Sequence, residues 1–349
     1  MKGDAGTGHP PLEELLREAA DRGASDLHLS AGCPPLLRVD GVLQPTTHPE
    51  LSPDQCVHLC GEALPPCERG EAAACRDRDL ALTLTDGTRF RGTLFRQRDS
   101  LAATFRAIPT EPPSLATLGL PATCRSIVAA RDGLVLVTGS TGSGKSTTLA
   151  AMIAEIRARR GGHVLTIEDP IEFVHPPGPG LITQREVGRD TPSFAAALRQ
   201  ALRQDPDVVL VGELRDGETM RAALTLAETG HLVLSTLHST SALEAADRIV
   251  DAFPADEQAQ TRKQIASVLH AVVAQKLVPR RDGAGRVAAC EILIATPAVR
   301  NLIREGKAHQ IASLLQAGRS AHGMQTMADG LAELVQAGVI DARAAAEAR

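Results

Sequence analysis

Eight residues, Gly139-Ser140-Thr141-Gly142-Ser143-Gly144-Lys145-Ser146, carry the pattern Gly, any four residues, Gly-Lys-Ser. That is the spacing of a phosphate-binding P-loop. The flanks agree with it: Leu134-Val135-Leu136-Val137 is a short apolar β-type run, and Thr147-Thr148-Leu149-Ala150-Ala151-Met152-Ile153 reads as the start of a helix. Strand, glycine-rich turn and helix start together let backbone N–H groups surround a polyphosphate. The glycines supply unusual dihedrals and close backbone approach. In this reading Gly139 through Ser146, with Thr147 behind them, bind ATP: Lys145 reaches the β- and γ-phosphates and the Ser146 hydroxyl ligates Mg²⁺.

Acids that could fire such a loop occur in two places. Thr166-Ile167-Glu168-Asp169-Pro170-Ile171-Glu172 ends an apolar run in three carboxylates. In a P-loop fold, strand ends of this kind lie beside the phosphates, where one carboxylate can orient or deprotonate the attacking water. By itself the stretch reads equally as a solvated acidic turn. Asp207-Val208-Val209-Leu210-Val211-Gly212-Glu213 is an apolar strand ending in an acid, the Walker B pattern with Glu in place of Asp. Its position downstream of a P-loop makes Glu213 the candidate for the Mg²⁺ shell opposite Ser146. His231 and His238 bracket a third apolar run. Either can sense phosphate or relay state, and either can be structural. Joint metal binding fails on distance, because seven residues of strand span about 20 Å.

These residues need a parallel sheet to bring them together. Strands are expected at 134–138, 163–167, 208–211 and 232–237, alternating with helices. Thr191-Pro192 reads as an N-cap and first helical residue of a helix running through Arg203. After residue 240 the pattern is helical: 242–252, 256–275, 297–305, 308–317 and 324–337. Ahead of the loop lies a smaller α+β region at 1–107. It comprises a helix from Pro11 with Leu12, Leu15, Leu16 and Ala19 on one face, a strand at 25–30, and a hairpin at 36–43 turning at Asp40-Gly41. A helix at 52–64, a hairpin turning at Asp86-Gly87 and a strand at 101–106 complete it. The Pro-rich stretch 108–115 is a stiff boundary before the larger domain at 116–349.

The bulk numbers narrow the classes. With 349 residues, 43% hydrophobic and 23% charged, the chain is an ordinary globular protein of two domains. No apolar run approaches the roughly 18 residues of a membrane span, and Met1-Lys2-Gly3-Asp4 opens no secretory signal, which places the chain in the cytoplasm. A net charge of −5, 2% aromatic residues and no Trp or Tyr argue against nucleic-acid binding. Seven cysteines without an export signal read as free thiols; Cys56, Cys60, Cys67 and Cys75 are close in sequence, but no Cys-x-x-Cys pair occurs.

The ordered set GSTGSGKS (139–146), TIEDPIEF (166–173), DPDVVLVGELRD (205–216) and TGHLVLSTLHS (229–239) resembles the secretion ATPase superfamily. Within it, the chain is similar to the type IV pilus retraction ATPases, the PilT family. DLHLSAGCPPLLRVDG (26–41), RFRGTLF (89–95), RVAACEIL (286–293), TPAVRNLIREGKAHQI (296–311) and HGMQTMADGLAELVQAGVI (322–340) extend the likeness over roughly 25 to 340. The resemblance implies an α/β fold: a RecA-like P-loop ATPase domain behind a smaller N-terminal PAS-like domain. It implies a homohexamer that hydrolyses ATP with Mg²⁺ to retract a pilus for twitching motility. Such a ring works at the cytoplasmic side of the inner membrane, against a platform protein of the pilus, with a sister pilus ATPase as a possible partner. Glu172 matches the water-activating acid, with Glu168 as the alternative, and Glu213 the Mg²⁺ site; His231 and His238 match the histidine box. Arg91 and Arg106 match arginines that reach the γ-phosphate from the small domain. Arg98 stands one residue before the third such arginine, where this chain has Asp99. Residues 298–305 match a retraction signature, with Val299 for the more usual Ile.

Two sister readings follow from the same superfamily. Pilus-assembly and type II secretion ATPases usually carry a four-cysteine zinc insertion after Walker B and an extra N-terminal domain, whereas here only Cys290 follows residue 213 and the chain starts close to the small domain. A non-hydrolysing accessory regulator of a sister motor would lack catalytic residues that this chain retains. A DNA translocase fits neither the charge nor the aromatic content. Val299, Leu302 and Ile303 form one helical stripe in the signature segment, which can pack on a core or receive a partner.

Overall fold

The structure, a computed structural model, describes residues 9–39, 41–109, 111–283 and 285–348. Met1-Lys2-Gly3-Asp4 and the turn residue Asp40 fall outside them. The chain divides into two units, Met1–Thr110 and Glu111–Arg349, within the Pro-rich stretch.

The first unit is a six-stranded antiparallel sheet in the order β3-β2-β1-β6-β5-β4. Its strands are β1 (Asp26–Leu29), β2 (Leu36–Val39), β3 (Val42–Pro45), β4 (Arg78–Thr83), β5 (Arg89–Gln97) and β6 (Ser100–Ile108). Helix Leu12–Asp21 buries Leu12, Leu15, Leu16 and Ala19 against it, as the spacing predicts. Helix Pro53–Glu62 begins at a capping box, Ser52 and Gln55 exchanging side chain–backbone hydrogen bonds. Gly92 on β5 is a packing glycine: a Cβ there would lie 2.7 Å from Leu80 and 2.8 Å from Phe105.

The second unit is a seven-stranded sheet in the order β13-β12-β7-β11-β10-β8-β9. Here β7 is Gly133–Thr138, β8 His163–Glu168, β9 Leu181–Glu186, β10 Val208–Val211, β11 Leu232–Leu237, β12 Leu269–Pro279 and β13 Arg286–Ile294. All neighbours are parallel except β12 and β13. Both faces are covered, so side chains alternate between two cores: Leu134 and Leu136 enter one, Val135 and Val137 the other.

Several elements depart from expectation. The helix expected at 256–275 ends at Val268, and Leu269–Pro279 continues as β12. The strand is buried from both sides and lacks alternation. No glycine or proline separates it from the helix, so a helical reading runs straight through. β9 and β13 are likewise not among the expected strands: β9 is a largely polar edge strand, and β13 falls in the unassigned gap between the helices expected at 256–275 and 297–305. The helix after residue 190 spans Phe194–Ala201 and is capped by Ser193, whose hydroxyl accepts from Ala196 N–H, rather than by Thr191. Among the described residues no helix is long and apolar enough to cross a membrane.

Candidate nucleotide site

Parallel pairing collects the expected residues at one sheet edge. The register sets Leu237 opposite Thr138, Val211 opposite both Ser235 and Ile167, and Glu168 opposite Glu186. The carboxyl ends of β7, β8, β10 and β11 therefore emerge together, with Gly139, Glu168, Gly212 and His238 as the next or last residues. This is the edge where open α/β sheets bind ligands.

The loop after β7 turns on glycine. Gly139, Gly142 and Gly144 have φ of 146°, 76° and 88°, in the region that disfavours side chains. Gly144 caps the helix Lys145–Arg160, whose N-terminus points its free N–H groups into the loop. Lys145 is buried, and its ammonium donates to the carbonyls of Gly139 at 3.0 Å and Ser140 at 2.9 Å. Burial pulls its pKa below the ordinary lysine value, while the carboxylates of Glu213 and Glu172 oppose that shift. Ser143 Oγ is buried without a hydrogen-bond partner among the described residues. An under-satisfied hydroxyl, free helix N–H groups and a buried cation around glycines fit a polyphosphate.

Glu213 follows β10 with its side chain 13% exposed; Arg215 forms an ion pair with it, and His238 Nε2 lies 3.5 Å from its second oxygen. Thr236 Oγ1 donates to the Gly212 carbonyl at 2.6 Å, tying the ends of β10 and β11 together just before the acid. Ser146 lies at the start of the helix after the loop and Glu213 just past β10; their oxygens are of the kind that suits a hard cation such as Mg²⁺.

The acidic segment separates its carboxylates. Glu168 is held at the end of β8: its Oε1 accepts from Thr166 Oγ1 at 2.7 Å and Gln184 Nε2 at 3.3 Å. Burial raises its pKa, against hydrogen bonds from Thr166, Gln184 and the Glu172 backbone that lower it. Strand β8 is three positions from β7 in the sheet, about 14 Å at the usual strand spacing. Glu172, four residues on, is exposed and close enough to Lys145 to act on its ammonium. Two residues of β9 that sequence reasoning missed fix this segment. Glu186 accepts from Ile171 N–H at 3.1 Å, and Gln184 accepts from His175 N–H at 3.0 Å while donating to the Phe173 carbonyl at 2.9 Å. A polar edge strand beside an acidic turn carries no recognisable signal of that role. On β13, Glu291 Oε1 accepts from Ala242 N–H at 2.8 Å and Ser241 Oγ at 3.0 Å, anchoring the loop that follows His238.

Two sets of expected residues lie elsewhere. His231 precedes β11 at the opposite sheet edge, its Nδ1 within 3.0 Å of the Leu226 carbonyl and of Thr229 Oγ1. Within one chain it does not approach the loop. Arg91 and Arg106 belong to the first unit, where β5 and β6 set them directly opposite each other on one sheet face. Arg106 donates to the buried Asp26 at 2.9 Å, whereas Arg91 makes no ion pair among the described residues. Like charges so placed destabilise a sheet. Arg98 and Asp99 form the turn between those strands, with φ of 45° and 61°.

The signature helix spans Pro297–Arg304 after the Thr296 cap. Val299 and Ile303 are fully buried in the larger core and Leu302 packs partly against it. The apolar stripe is therefore core, and the outward face consists of Asn301, Arg304 and Glu305.

Comparison with known proteins converges on one group. A profile of the Type II/IV secretion system protein family matches residues 3–345. The chain is 48% identical to the type IV pilus retraction ATPase PilT of Pseudomonas aeruginosa, over 96% of this chain and 97% of that one. It is 41% identical to the type IV pilus ATPase PilU of the same organism, over 94% and 86%. The crystal structure of the pilus retraction motor PilT with bound ADP superposes with a TM-score of 0.90 at 43% identity, covering 98% of this chain and 97% of that one. With a RecA-like nucleotide site and likeness along nearly its whole length, the chain belongs to the Type II/IV secretion system protein family and is an ATPase of it.

Proposed function

We propose that this ATPase is a pilus-retraction motor, working as a homohexamer with Mg²⁺ at the cytoplasmic face of the inner membrane. The observation that carries the reading is the meeting of the Lys145 loop, Glu172, Glu213 and His238 at one sheet edge. Likeness to a retraction motor over both units supports the choice of output.

In this reading Lys145 leaves the loop carbonyls for the β- and γ-phosphates, recovering in that ion pair what burial costs it. Ser146 and Glu213 hold Mg²⁺, which when bound neutralises charge on the phosphates. Arg215 and His238 fix the orientation of Glu213. Glu172 takes the proton of the attacking water, and Glu168, half-buried and hydrogen-bonded, holds the turn that carries it. Arg91 and Arg106 serve a phosphate as arginine fingers, and His231 serves a neighbouring copy; each role needs the ring. Loss of the γ-phosphate removes the charge that the arginines held, so the clefts reopen in turn and move whatever is docked on the ring: a platform protein of the pilus, with a sister ATPase assisting.

Arg91→Ala tests the arginine assignment most cleanly. Arg106→Ala also takes from the buried Asp26 its nearest ion-pair partner, leaving Ser25 and the more distant Arg38, whereas Arg91 has no ion-pair partner among the described residues. An arginine finger is worth about 10³–10⁵ in rate. Arg91→Ala is therefore expected to cut kcat by at least tenfold (~1.4 kcal/mol), with ADP affinity unchanged and Tm at or slightly above the wild-type value, because the like-charge pair with Arg106 is relieved. An unaltered kcat would make Arg91 an ordinary surface charge.

Residues 297–317 are proposed to couple the ring to retraction. Leu302→Ala would lower stability as well as output, because Leu302 packs on the core. Arg304 is exposed and donates to Asn301 Oδ1 at 3.2 Å, with Glu305 beside it. Arg304→Ala is expected to keep Tm within about 1 °C, as exposed substitutions usually do, and to keep ATP turnover while abolishing surface motility. Motility at the wild-type level would remove the outward face from the coupling role.

A further inference from the structure

Beside the nucleotide loop runs β12, and one side chain of it touches the loop at several points. Gln275 is 1% exposed and follows Ala274, the residue paired with Thr138 at the end of β7. Its Nε2 donates to the Ser143 carbonyl at 2.6 Å, and its Oε1 accepts from Thr148 Oγ1 at 3.0 Å. Both ends of one amide are thus used, one on the loop and one on the first turn of the helix after it. The backbone closes the same contact. A Cβ on Gly139 would lie 2.5 Å from the Gln275 carbonyl, and a Cβ on Gly144 would lie 3.2 Å from Gln275 Nε2. Glycine at 139 is therefore demanded by this strand as well as by its backbone dihedrals, and at 144 a Cβ would press on the amide.

The chemistry explains why an amide stands there. Ser143 presents a carbonyl and Thr148 a hydroxyl that must donate; only a side chain with a donor and an acceptor at fixed separation satisfies both in a dry site. In a trans peptide the Gly144 N–H points away from the Ser143 carbonyl, so turning that carbonyl toward Gln275 leaves this N–H on the other side. Leaving either partner unmet inside carries the desolvation penalty of a buried polar group, and relaxing to meet it elsewhere would turn the loop.

We propose that Gln275 is a positioning residue for the nucleotide loop, holding Ser143 and Thr148 so that the backbone donors converge on a di- or triphosphate. The proposal rests on the P-loop reading of residues 139–146. It concerns affinity for the phosphates rather than the proton transfer step.

The test measures binding of a fluorescent ADP analogue to the purified full chain, alongside Tm, for wild type, Gln275→Met, Gln275→Glu and Thr148→Val. Gln275→Met keeps length and loses both bonds; Thr148→Val removes one bond only and serves if Gln275→Met does not fold. The expected result is a dissociation constant raised about tenfold or more for Gln275→Met, and by a smaller factor for Thr148→Val, corresponding to one or two lost hydrogen bonds. The ATP KM should rise with it, while kcat at saturation falls less. Gln275→Glu adds a readout that general loosening would not produce. An ionised carboxylate faces the Ser143 carbonyl as acceptor against acceptor, but a protonated one donates as the amide did. Its ADP affinity should recover toward wild type as pH falls, after division by the wild-type curve. Wild type that fails to bind the analogue overturns the P-loop reading itself. Wild type that binds, with the folded variants within about twofold of it and no pH-dependent recovery in Gln275→Glu, overturns the role of Gln275 alone.

Discussion

Lys145→Ala is expected to abolish ATP turnover, lowering kcat/KM by about 10³ or more. Two losses combine. A hydrogen bond to a charged group contributes about 1.5–3 kcal/mol, which alone weakens nucleotide binding by roughly 10- to 150-fold. Donors that strengthen on charge developing in the transition state are worth about a further 10²–10³ in rate. The folded protein should not suffer, because the ammonium is buried against loop carbonyls and burial disfavours its charged form. Tm is therefore expected to stay at or slightly above the wild-type value, while an added excess of ADP no longer raises it. Phosphate release and a thermal shift with and without ADP read both effects. Turnover within about tenfold of wild type would leave Lys145 without the role assigned to it.

Glu172→Gln and Glu213→Gln should separate chemistry from binding. A positioned general base contributes about 10²–10⁴ in rate, so Glu172→Gln is expected to lose that factor in kcat while binding ADP as wild type does. Glu213→Gln should lose a comparable factor for another reason: the amide offers Mg²⁺ a weaker ligand, and nucleotide affinity becomes less dependent on Mg²⁺. Neither variant should alter folding, since Glu172 is exposed and the Arg215 partner of Glu213 is itself mostly exposed. Glu168→Ala is the informative contrast. One carboxyl oxygen accepts from both Thr166 and Gln184 at the end of β8, so truncation leaves two donors unmet and should disturb the turn and lower Tm. Near-normal turnover in both Glu172→Gln and Glu213→Gln would dissolve the site assignment.

The parts of this site that were legible in the sequence share one property: each is local. The P-loop, the acidic ends of β8 and β10 and the four central strands are contiguous words whose chemistry shows in their spacing. Gln275, Gln184, Glu186 and Glu291 were not legible, because each acts on a backbone group far away in sequence. Nothing around Gln275 marks it: the strand is apolar on both faces and continues from a helix without a breaker. Secondary structure failed at the same place for the same reason, since only pairing with β7 and β13 makes 269–279 a strand. The histidines show the complementary limit. The sequence sets them at the two ends of β11, and only parallel pairing says which end meets the loop. Leu302 and its stripe were ambiguous between core and partner surface until packing decided it: Val299 and Ile303 are core, which leaves Arg304 and its neighbours as the outward face.

The central claim is that ATP hydrolysis at this site withdraws pili. The most direct measurement follows fluorescently labelled pili on living cells of the native host from which this gene has been deleted. The account predicts that pili extend but fail to withdraw, that the wild-type chain restores withdrawal, and that Lys145→Ala does not. Loss of extension in the deletion strain, as an assembly ATPase would give, or withdrawal at the normal rate without the chain, would contradict it.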